Sequence, residues 1–291
     1  MNEKTITVPV ALCQTPAVKN KQQSLEAGVR YVEKAAAHGA KLVVLPEMFC
    51  CPYQNDAFPP NAEQAGSGIW QALSGVAKAC GVILIGGSFP ELGEDGGIYN
   101  TCFVFNEQGE QIARHRKMHL FDIDIPGGQR FKESDTLAAG SEPTVFDTPW
   151  GKLGVMVCFD VRFPELARLI ALGGARAIIV PGAFNMTTGP LHWELLMQAR
   201  AVDNFTYVLA CAPARDESAG YVSYANSLVV SPWGKTMARL DAQPDILYAQ
   251  LDVGEVARAQ QQIPVLSARR TDLYEIELKK QWCHYPPSAS K

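Results

Sequence analysis

The sequence predicts one α/β domain in which two β-sheets are covered on their outer faces by helices. Two observations support this fold class. Short apolar runs alternate with segments of helical periodicity along the chain, and no composition break or linker divides it. A chain of 291 residues buries enough surface to fold without disulfide or metal cross-links. We expect the domain to span residues 1–280 and a tail to follow at 281–291.

The first half of the chain contains two predicted helices and five predicted strands. Apolar residues recur every three or four positions from Leu25 to Ala36, which predicts a helix over Gln22–His38 closed by Gly39. A second helix is predicted over Ile69–Ala79. The strands are predicted from short runs rich in apolar residues: Ile6–Cys13, Leu42–Leu45, Val82–Ile85, and the hairpin strands Asn100–Asn106 and Gln111–His115.

The second half of the chain also alternates apolar runs with segments of helical periodicity. Leu153–Phe159 is nearly all apolar, as expected for a strand that is buried on both faces. Pro164–Leu172 is a predicted helix with proline in its first turn, and another helix is predicted over His192–Asn204. The remaining predicted strands are Ala177–Val180, Tyr207–Ala212, Ser227–Val230 and Ile246–Leu251.

Composition excludes some classes of partner and compartment. The chain has 26 Lys and Arg against 30 Asp and Glu, a net charge of −4, which argues against nucleic acid or an anionic membrane as a partner. No apolar run reaches the roughly 18 residues of a membrane span. The eight cysteines form no C-x-x-C pair, and the N-terminus lacks the regions of a signal peptide. We therefore expect a cytoplasmic protein with reduced thiols.

Two segments place candidate catalytic side chains after predicted strands. Glu47 follows the run that ends at Leu45, at the sheet edge where ligands collect in α/β folds; the alternative is a capping or surface glutamate. Lys117 lies between His115 and His119 after the predicted hairpin, and this stretch alone is more typical of a solvated basic surface than of a site. The two histidines have no third ligand nearby in sequence, so no metal site is predicted.

The third segment surrounds Cys158. A predicted buried strand brings this cysteine to a turn, and a predicted helix begins at Pro164, which is an arrangement that presents a nucleophile at a sheet edge. The nearby helix N-terminus is expected to favour the thiolate. The alternative is a buried structural cysteine, which is our interpretation of the other seven. Asp160, Arg162 and Glu165 favour the catalytic interpretation because they surround Cys158 with charge.

In this order, the three segments resemble the Glu-Lys-Cys signature of the nitrilase superfamily of carbon–nitrogen hydrolases. The matching stretches are Leu45–Glu47, Arg116–Leu120 and Cys158–Glu165. Within the superfamily the chain is similar to the Nit branch and most similar to the ω-amidases, on the segments Pro181–Trp193, Arg200–Asn204 and Ala212–Asp216. The resemblance implies an α-β-β-α sandwich, a carbon–nitrogen hydrolase domain over 1–280, and a homodimer or higher homo-oligomer.

The resemblance also implies roles for individual residues. Cys158 matches the nucleophile, Glu47 the general base, and Lys117 the cation that stabilises an oxyanion together with the backbone N–H of Phe159. Glu133 matches a second glutamate of the family that supports the lysine and the base; the alternative is a surface glutamate in a loop. No cofactor and no metal are implied.

The implied reaction releases ammonia from the terminal amide of small α-keto acid amides, such as 2-oxoglutaramate and 2-oxosuccinamate, through a cysteine thioester. Arg162 is the candidate for binding the substrate carboxylate because a guanidinium matches a carboxylate as a planar fork. The alternative is a structural ion pair of Arg162 with Asp160 or Glu165. We expect Thr188 to add a hydroxyl, and Phe184 and Tyr53 to form apolar walls.

Other functions stay open at this point. A deaminated-glutathione amidase, an N-carbamoyl amidohydrolase or a nitrilase would share the same catalytic segments. A scaffold protein without activity is a further alternative, although an inactive relative has no chemical reason to keep all three groups.

Overall fold

The structure is a computed structural model that describes residues 6–17, 20–124 and 130–279. These residues form fifteen β-strands and six α-helices. The strands are β1 Thr7–Gln14, β2 Leu42–Val44, β3 Ile83–Ile85, β4 Phe89–Leu92, β5 Ile98–Phe105, β6 Gln111–Arg116, β7 Asp122–Asp124, β8 Arg130–Lys132, β9 Thr144–Thr148, β10 Gly151–Val155, β11 Ala177–Pro181, β12 Tyr207–Cys211, β13 Leu228–Val230, β14 Thr236–Arg239 and β15 Asp245–Asp252. The helices are α1 Lys21–Ala37, α2 Phe58–Asn61, α3 Gly68–Cys80, α4 Pro164–Leu172, α5 Gly189–Asn204 and α6 Val253–Gln262. The predicted tail at 281–291, with Cys283, lies outside the described residues.

Residues at the helix termini determine where three of the helices begin or end. The side chain of Asn20 accepts two backbone N–H groups of the first turn of α1, and that of Asp252 accepts the N–H of Gly254 at the start of α6. Gly81 follows α3 in the left-handed region at φ +60°, which a glycine adopts without steric cost.

The strands form two large sheets and a small one. The first large sheet has seven strands in the order β15-β1-β2-β3-β5-β4, with β6 paired to β5. In it β1, β2 and β3 run parallel, and β15 pairs antiparallel with β1. The second has six strands in the order β14-β13-β12-β11-β10-β9, with β10, β11 and β12 parallel. Strands β7 and β8 form a separate two-stranded sheet.

The two large sheets share one hydrophobic core. The buried side chains that join them come from strands of both sheets: Val10, Leu12, Val44, Ile85, Val104, Val155, Ile179, Val208 and Val229. Helices α1 and α3 cover the other face of the first sheet with Val32 and Leu73, and α4 and α5 pack on the second with Ile170 and Trp193. A Cβ on Gly154 would lie 2.2 Å from Ile170 Cγ2, so only glycine permits this close packing of α4. The predicted α-β-β-α sandwich is confirmed.

Most predicted elements are confirmed within a few residues, and α4 matches at both ends. The predicted strand Leu153–Phe159 is wrong beyond Val155, because a 3-10 turn begins at Cys158. Helix α5 begins three residues before the predicted His192, with proline in its first turn. Among the described residues, no helix combines the length and apolar character that a membrane span requires.

Candidate active site

Strand ends from both large sheets meet at one buried cluster of polar side chains. Glu47 follows β2 and Lys117 follows β6 in the first sheet, whereas Cys158 follows β10 and Ala183 follows β11 in the second. Glu47 joins the two sheets, because its Oε2 accepts the backbone N–H of Ala183 at 2.9 Å and its Oε1 accepts Lys117 Nζ at 3.1 Å. The structure therefore brings together the three residues that the sequence motifs single out.

The Glu47 carboxylate is buried and surrounded by donors. In addition to Lys117 and Ala183, the Nδ2 group of Asn100 donates to Oε1 at 2.8 Å. Burial raises the pKa of Glu47 above its ordinary value, and the charge of Lys117 only partly offsets this effect. A carboxylate with a raised pKa is suited to exchange protons near neutral pH. The alternative of an exposed surface glutamate is wrong.

Lys117 is fully buried among acceptors. Its Nζ lies 3.0 Å from Oε1 and 2.8 Å from Oε2 of Glu133, and 3.1 Å from the hydroxyl oxygen of Tyr53. Burial alone would lower the pKa of Lys117, but the Glu133 and Glu47 carboxylates raise it above its ordinary value. The ammonium therefore keeps its charge in a water-poor site, and the alternative of a solvated basic stretch is wrong for this residue.

Glu133 and Tyr53 support the lysine. Glu133 is fully buried; its Oε2 accepts the backbone N–H of Phe121 at 2.6 Å, and its Oε1 accepts the Tyr53 hydroxyl at 2.6 Å. Burial and the Glu133 carboxylate raise the pKa of Tyr53 well above its ordinary value, so the hydroxyl keeps its proton. The Tyr53 ring stacks on Tyr221 at 4.6 Å. The alternative of a surface glutamate at position 133 is wrong.

Cys158 lies at the first position of the 3-10 turn with φ +48°, in the left-handed region that non-glycine residues rarely adopt. Its thiol hydrogen-bonds to Glu47. Burial and the Glu47 carboxylate raise the thiol pKa well above its ordinary value, against the smaller opposing effects of Lys117 and the Ala183 N–H. Any effect of the helix N-terminus in favour of the thiolate is therefore outweighed by burial and by Glu47. The resting thiol is protonated and needs a base.

Asp160 ties the cysteine turn to the lysine segment. Its Oδ2 accepts His115 Nε2 at 2.9 Å and the backbone N–H of Val157 at 3.0 Å. Its Oδ1 accepts Nδ1 and the backbone N–H of His119 at 2.8 and 2.9 Å. Although burial opposes ionisation, the hydrogen bonds from the two histidines lower the pKa of Asp160 below its ordinary value. Both histidines thus bind a carboxylate that anchors the loops on either side of the site.

A narrow cleft leads to Cys158 and contains three of the four predicted substrate-binding residues: Arg162, Phe184 and Thr188. The Arg162 guanidinium lies 4.9 Å from the Phe184 ring centroid, and its Nη1 lies 3.2 Å from His192 Nδ1. Among the ion pairs of the described residues, none joins Arg162 to Asp160 or Glu165. The Thr188 hydroxyl donates to Asn185 Oδ1 at 3.0 Å.

The fourth predicted residue, Tyr53, lines a separate and larger cavity. This cavity has a volume of about 260 Å³, and Glu47, Met48 and Cys51 also contribute to its wall. Tyr221 lines both the cavity and the cleft, and its hydroxyl donates to the carbonyl oxygen of Ala183 at 2.5 Å. The catalytic cluster therefore borders a narrow space beside the thiol and a wider one beside the base.

Sequence reasoning missed three groups that contact the cluster, namely Asn100, the backbone N–H of Ala183, and Asp160 as an anchor. One signal was available, because Asn100 is a polar residue within the apolar strand β5. The backbone N–H of Phe159, predicted to bind an oxyanion, lies in the first turn of the 3-10 helix, where N–H groups have no intrahelical acceptor.

Comparison with known proteins gives consistent results. The family model described as carbon-nitrogen hydrolase matches residues 9–261. A relative from Bos taurus named Omega-amidase NIT2 is 46% identical over 274 residues, covering 94% of this chain and 99% of that protein. The crystal structure of Nit3 from Saccharomyces cerevisiae, a member of branch 10 of the nitrilase superfamily, is similar with a TM-score of 0.83 and 42% identity, over 91% of this chain and 97% of that one.

A second similar structure bears on the chemistry of its own active site. It is a mutant of the amidase from Nesterenkonia sp. AN1, with covalent addition of the acetamide moiety of fluoroacetamide at the active site cysteine. That chain is 26% identical with a TM-score of 0.73, over 93% of this chain and 97% of its own. The fold, the cluster of Glu47, Lys117 and Cys158, and a family match over most of the sequence agree, and the chain belongs to the carbon-nitrogen hydrolase family.

Proposed function

We propose that this protein is a thiol amidohydrolase of the ω-amidase type, which releases ammonia from small α-keto acid amides such as 2-oxoglutaramate and 2-oxosuccinamate. One observation carries the proposal: the buried Glu47 carboxylate contacts both the Cys158 thiol and the Lys117 ammonium, and the thiol lines a cleft that also contains a guanidinium. Arg162 supplies that guanidinium. The ω-amidase name of the relatives, at 46–49% identity, supports the choice of substrate class.

Acylation begins with the protonated thiol. Glu47 removes the proton of Cys158, and the sulfur attacks the amide carbonyl carbon. Negative charge then develops on the carbonyl oxygen, where the Lys117 ammonium and the backbone N–H of Phe159 stabilise it; groups of this kind contribute several kcal/mol each in a site without water (about 3–4 in mutational tests). Protonated Glu47 donates its proton to the leaving nitrogen, ammonia departs, and a thioester on Cys158 remains.

Deacylation uses the same groups. Glu47, ionised again, removes a proton from a water molecule that attacks the thioester carbonyl, and the second oxyanion forms in the same place as the first. The bond to sulfur breaks, Glu47 returns the proton to Cys158, and the dicarboxylic keto acid is released. Glu133 keeps Lys117 charged and in place through both steps.

Substrate selection depends on the cleft in this proposal. The guanidinium of Arg162 binds the carboxylate of the substrate as a fork, Thr188 adds a hydroxyl, and the rings of Phe184 and Phe159 exclude water. No cofactor and no metal take part.

The test is ammonia release from 2-oxoglutaramate by the wild type and by Cys158→Ala, with deaminated glutathione measured in parallel. We expect turnover of 2-oxoglutaramate that the substitution abolishes. Cys51→Ala is the matched control, because Cys51 is a buried thiol that lines the neighbouring cavity. Full activity of Cys158→Ala, or preferential turnover of nitriles, would contradict the proposal.

The cavity beside Glu47 favours a second candidate, a deaminated-glutathione amidase. An amide with a substituent on its nitrogen needs room on the side of the group that protonates the leaving amine. The 260 Å³ cavity borders Glu47 and offers that room. Preference for deaminated glutathione over 2-oxoglutaramate in the same assay would select this function and leave the mechanism unchanged.

Three further proposals concern the whole molecule. We propose a homodimer or higher homo-oligomer, because α5 exposes an apolar face with Leu191, Leu195 and Val202 at helical spacing. Sedimentation of the wild type beside Leu195→Glu tests it, and a monomeric wild type would contradict it. We propose a cytoplasmic location, in line with the free cysteines of the described residues. We also propose a catalytic domain that spans 1–280, which contains the family match over residues 9–261.

A further inference from the structure

The two carboxylate oxygens of Glu47 have different partners. Oε1 accepts the Nδ2 group of Asn100 at 2.8 Å and the Lys117 ammonium at 3.1 Å. Oε2 accepts the backbone N–H of Ala183 at 2.9 Å. The Cys158 thiol interacts with the same carboxylate and with the backbone N–H of Ala183. The carboxylate therefore presents Oε1 to two donors of the first sheet and Oε2 to one donor that follows a strand of the second sheet.

A proton on Oε1 would be unfavourable, because an ammonium and an amide NH₂ group already direct their hydrogens at this oxygen. Tyr53 does not make protonation of Oε1 more favourable. Its hydroxyl lies 3.5 Å from Oε1 and donates to Glu133 at 2.6 Å instead. We propose that Asn100 is a positioning residue that keeps Oε1 of Glu47 as an acceptor and directs the proton of Cys158 to Oε2. This inference rests on the proposed function, in which Glu47 is the base.

The location of Asn100 suits this role. It is fully buried on β5, and its backbone carbonyl accepts the backbone N–H of Lys117 at 2.9 Å. One residue thus holds both the main chain of the lysine and the side chain of the base. Among the described residues the Oδ1 atom of Asn100 has no hydrogen-bond partner. Only the contact with Glu47 orients the amide, since exchanging its O and N atoms would place two acceptors against each other.

The proposed role predicts a change in the pH dependence of catalysis. A donor to the ionised form of a carboxylate lowers its pKa, so the loss of the Asn100 amide should raise the pKa of Glu47 further. The base must be ionised to accept the thiol proton, and activity therefore falls as pH drops through this pKa. The acidic limb of kcat/KM should move to higher pH by about one unit, which is the size expected for one hydrogen bond to a charged group.

The experiment measures kcat/KM for 2-oxoglutaramate against pH in the wild type, Asn100→Leu and Asn100→Ser. Leucine matches the branched shape of asparagine without its amide, and serine keeps a small polar side chain that a tightly packed interior tolerates more easily. Asn204→Leu is the matched control. Asn204 is also buried, donates its Nδ2 group to a backbone carbonyl at 2.9 Å, and has an Oδ1 atom without a partner among the described residues, but it lies on α5.

We expect the acidic limb to move upward in both Asn100 variants and to stay in place in Asn204→Leu. An unmoved limb in a folded Asn100 variant, or an equal movement in the control, would overturn the inference. These outcomes are separate from failure of the proposed function, which would appear as a wild type without amidase activity or as an active Cys158→Ala protein.

Discussion

Asp160 offers a test of how the two catalytic loops are held together. Each of its oxygens accepts one imidazole N–H and one backbone N–H, from His115 and Val157 on one side and from His119 on the other. In Asp160→Asn, one oxygen becomes an NH₂ group, so two of these donors lose their acceptor whichever way the amide points. A hydrogen bond to a charged group contributes about 1.5–3 kcal/mol, and we expect the free energy of unfolding to fall by about 3–6 kcal/mol.

Urea unfolding at neutral pH measures this change. Asp147→Asn is the matched control, because Asp147 is a half-exposed carboxylate whose ion pair with Lys152 contributes at most about 1 kcal/mol. The pKa of Asp160 is lower in the folded state than in the unfolded chain. Its contribution is therefore complete above the unfolded pKa, about 3.9, and is lost as pH falls below it. A loss under 1 kcal/mol at pH 7, or a difference from wild type that does not shrink in acid, would refute the reasoning.

Three other predictions concern the reaction. Arg162→Lys keeps the positive charge but not the planar fork of donors. KM for 2-oxoglutaramate should therefore rise about tenfold or more, while turnover of a neutral primary amide stays unchanged. Equal effects on both substrates would contradict carboxylate binding by Arg162. Glu133→Gln should lower kcat about a hundredfold, because the amide cannot hold the Lys117 ammonium as the carboxylate does, and a loss within about twofold would exclude this role. Since burial raises the pKa of Glu47, the acidic limb of kcat/KM should lie above the ordinary glutamate value of 4.5; full activity down to that pH would contradict its role as the base.

The positions of the catalytic residues at strand ends were easier to predict from the sequence than the hydrogen bonds that hold these residues in place. Glu47 follows the apolar strand β2 and Lys117 follows the hairpin strand β6, so their convergence was predictable from α/β topology together with the family motif. The end of the strand before Cys158 was not predictable in this way, because Met156 and Val157 continue the apolar pattern of β10. Asp160 stabilises the turn by accepting the backbone N–H of Val157, and hydrophobic periodicity cannot reveal this contact.

Short or polar elements were also missed for physical reasons. Strand β4 contains Pro90, which normally argues against a strand away from a sheet edge, and β4 is indeed at the edge of its sheet. Helix α6 is rich in glutamine and alanine and buries only Val256 and Ala259, so few large apolar residues mark it in the sequence. The partner of Asn100 depends on the approach of β2 to β5 across the intervening strand β3, which local sequence does not encode.

The most direct test of the central claim is to trap the covalent intermediate. Wild-type enzyme mixed with 2-oxoglutaramate and quenched rapidly in acid should carry the acyl group of the substrate, and peptide mass spectrometry should locate it on Cys158. Glu47→Gln, which lacks the base, should give no adduct at the same mixing time. An adduct on another cysteine, or steady turnover by a protein in which no adduct forms on Cys158, would contradict a thioester mechanism at this site.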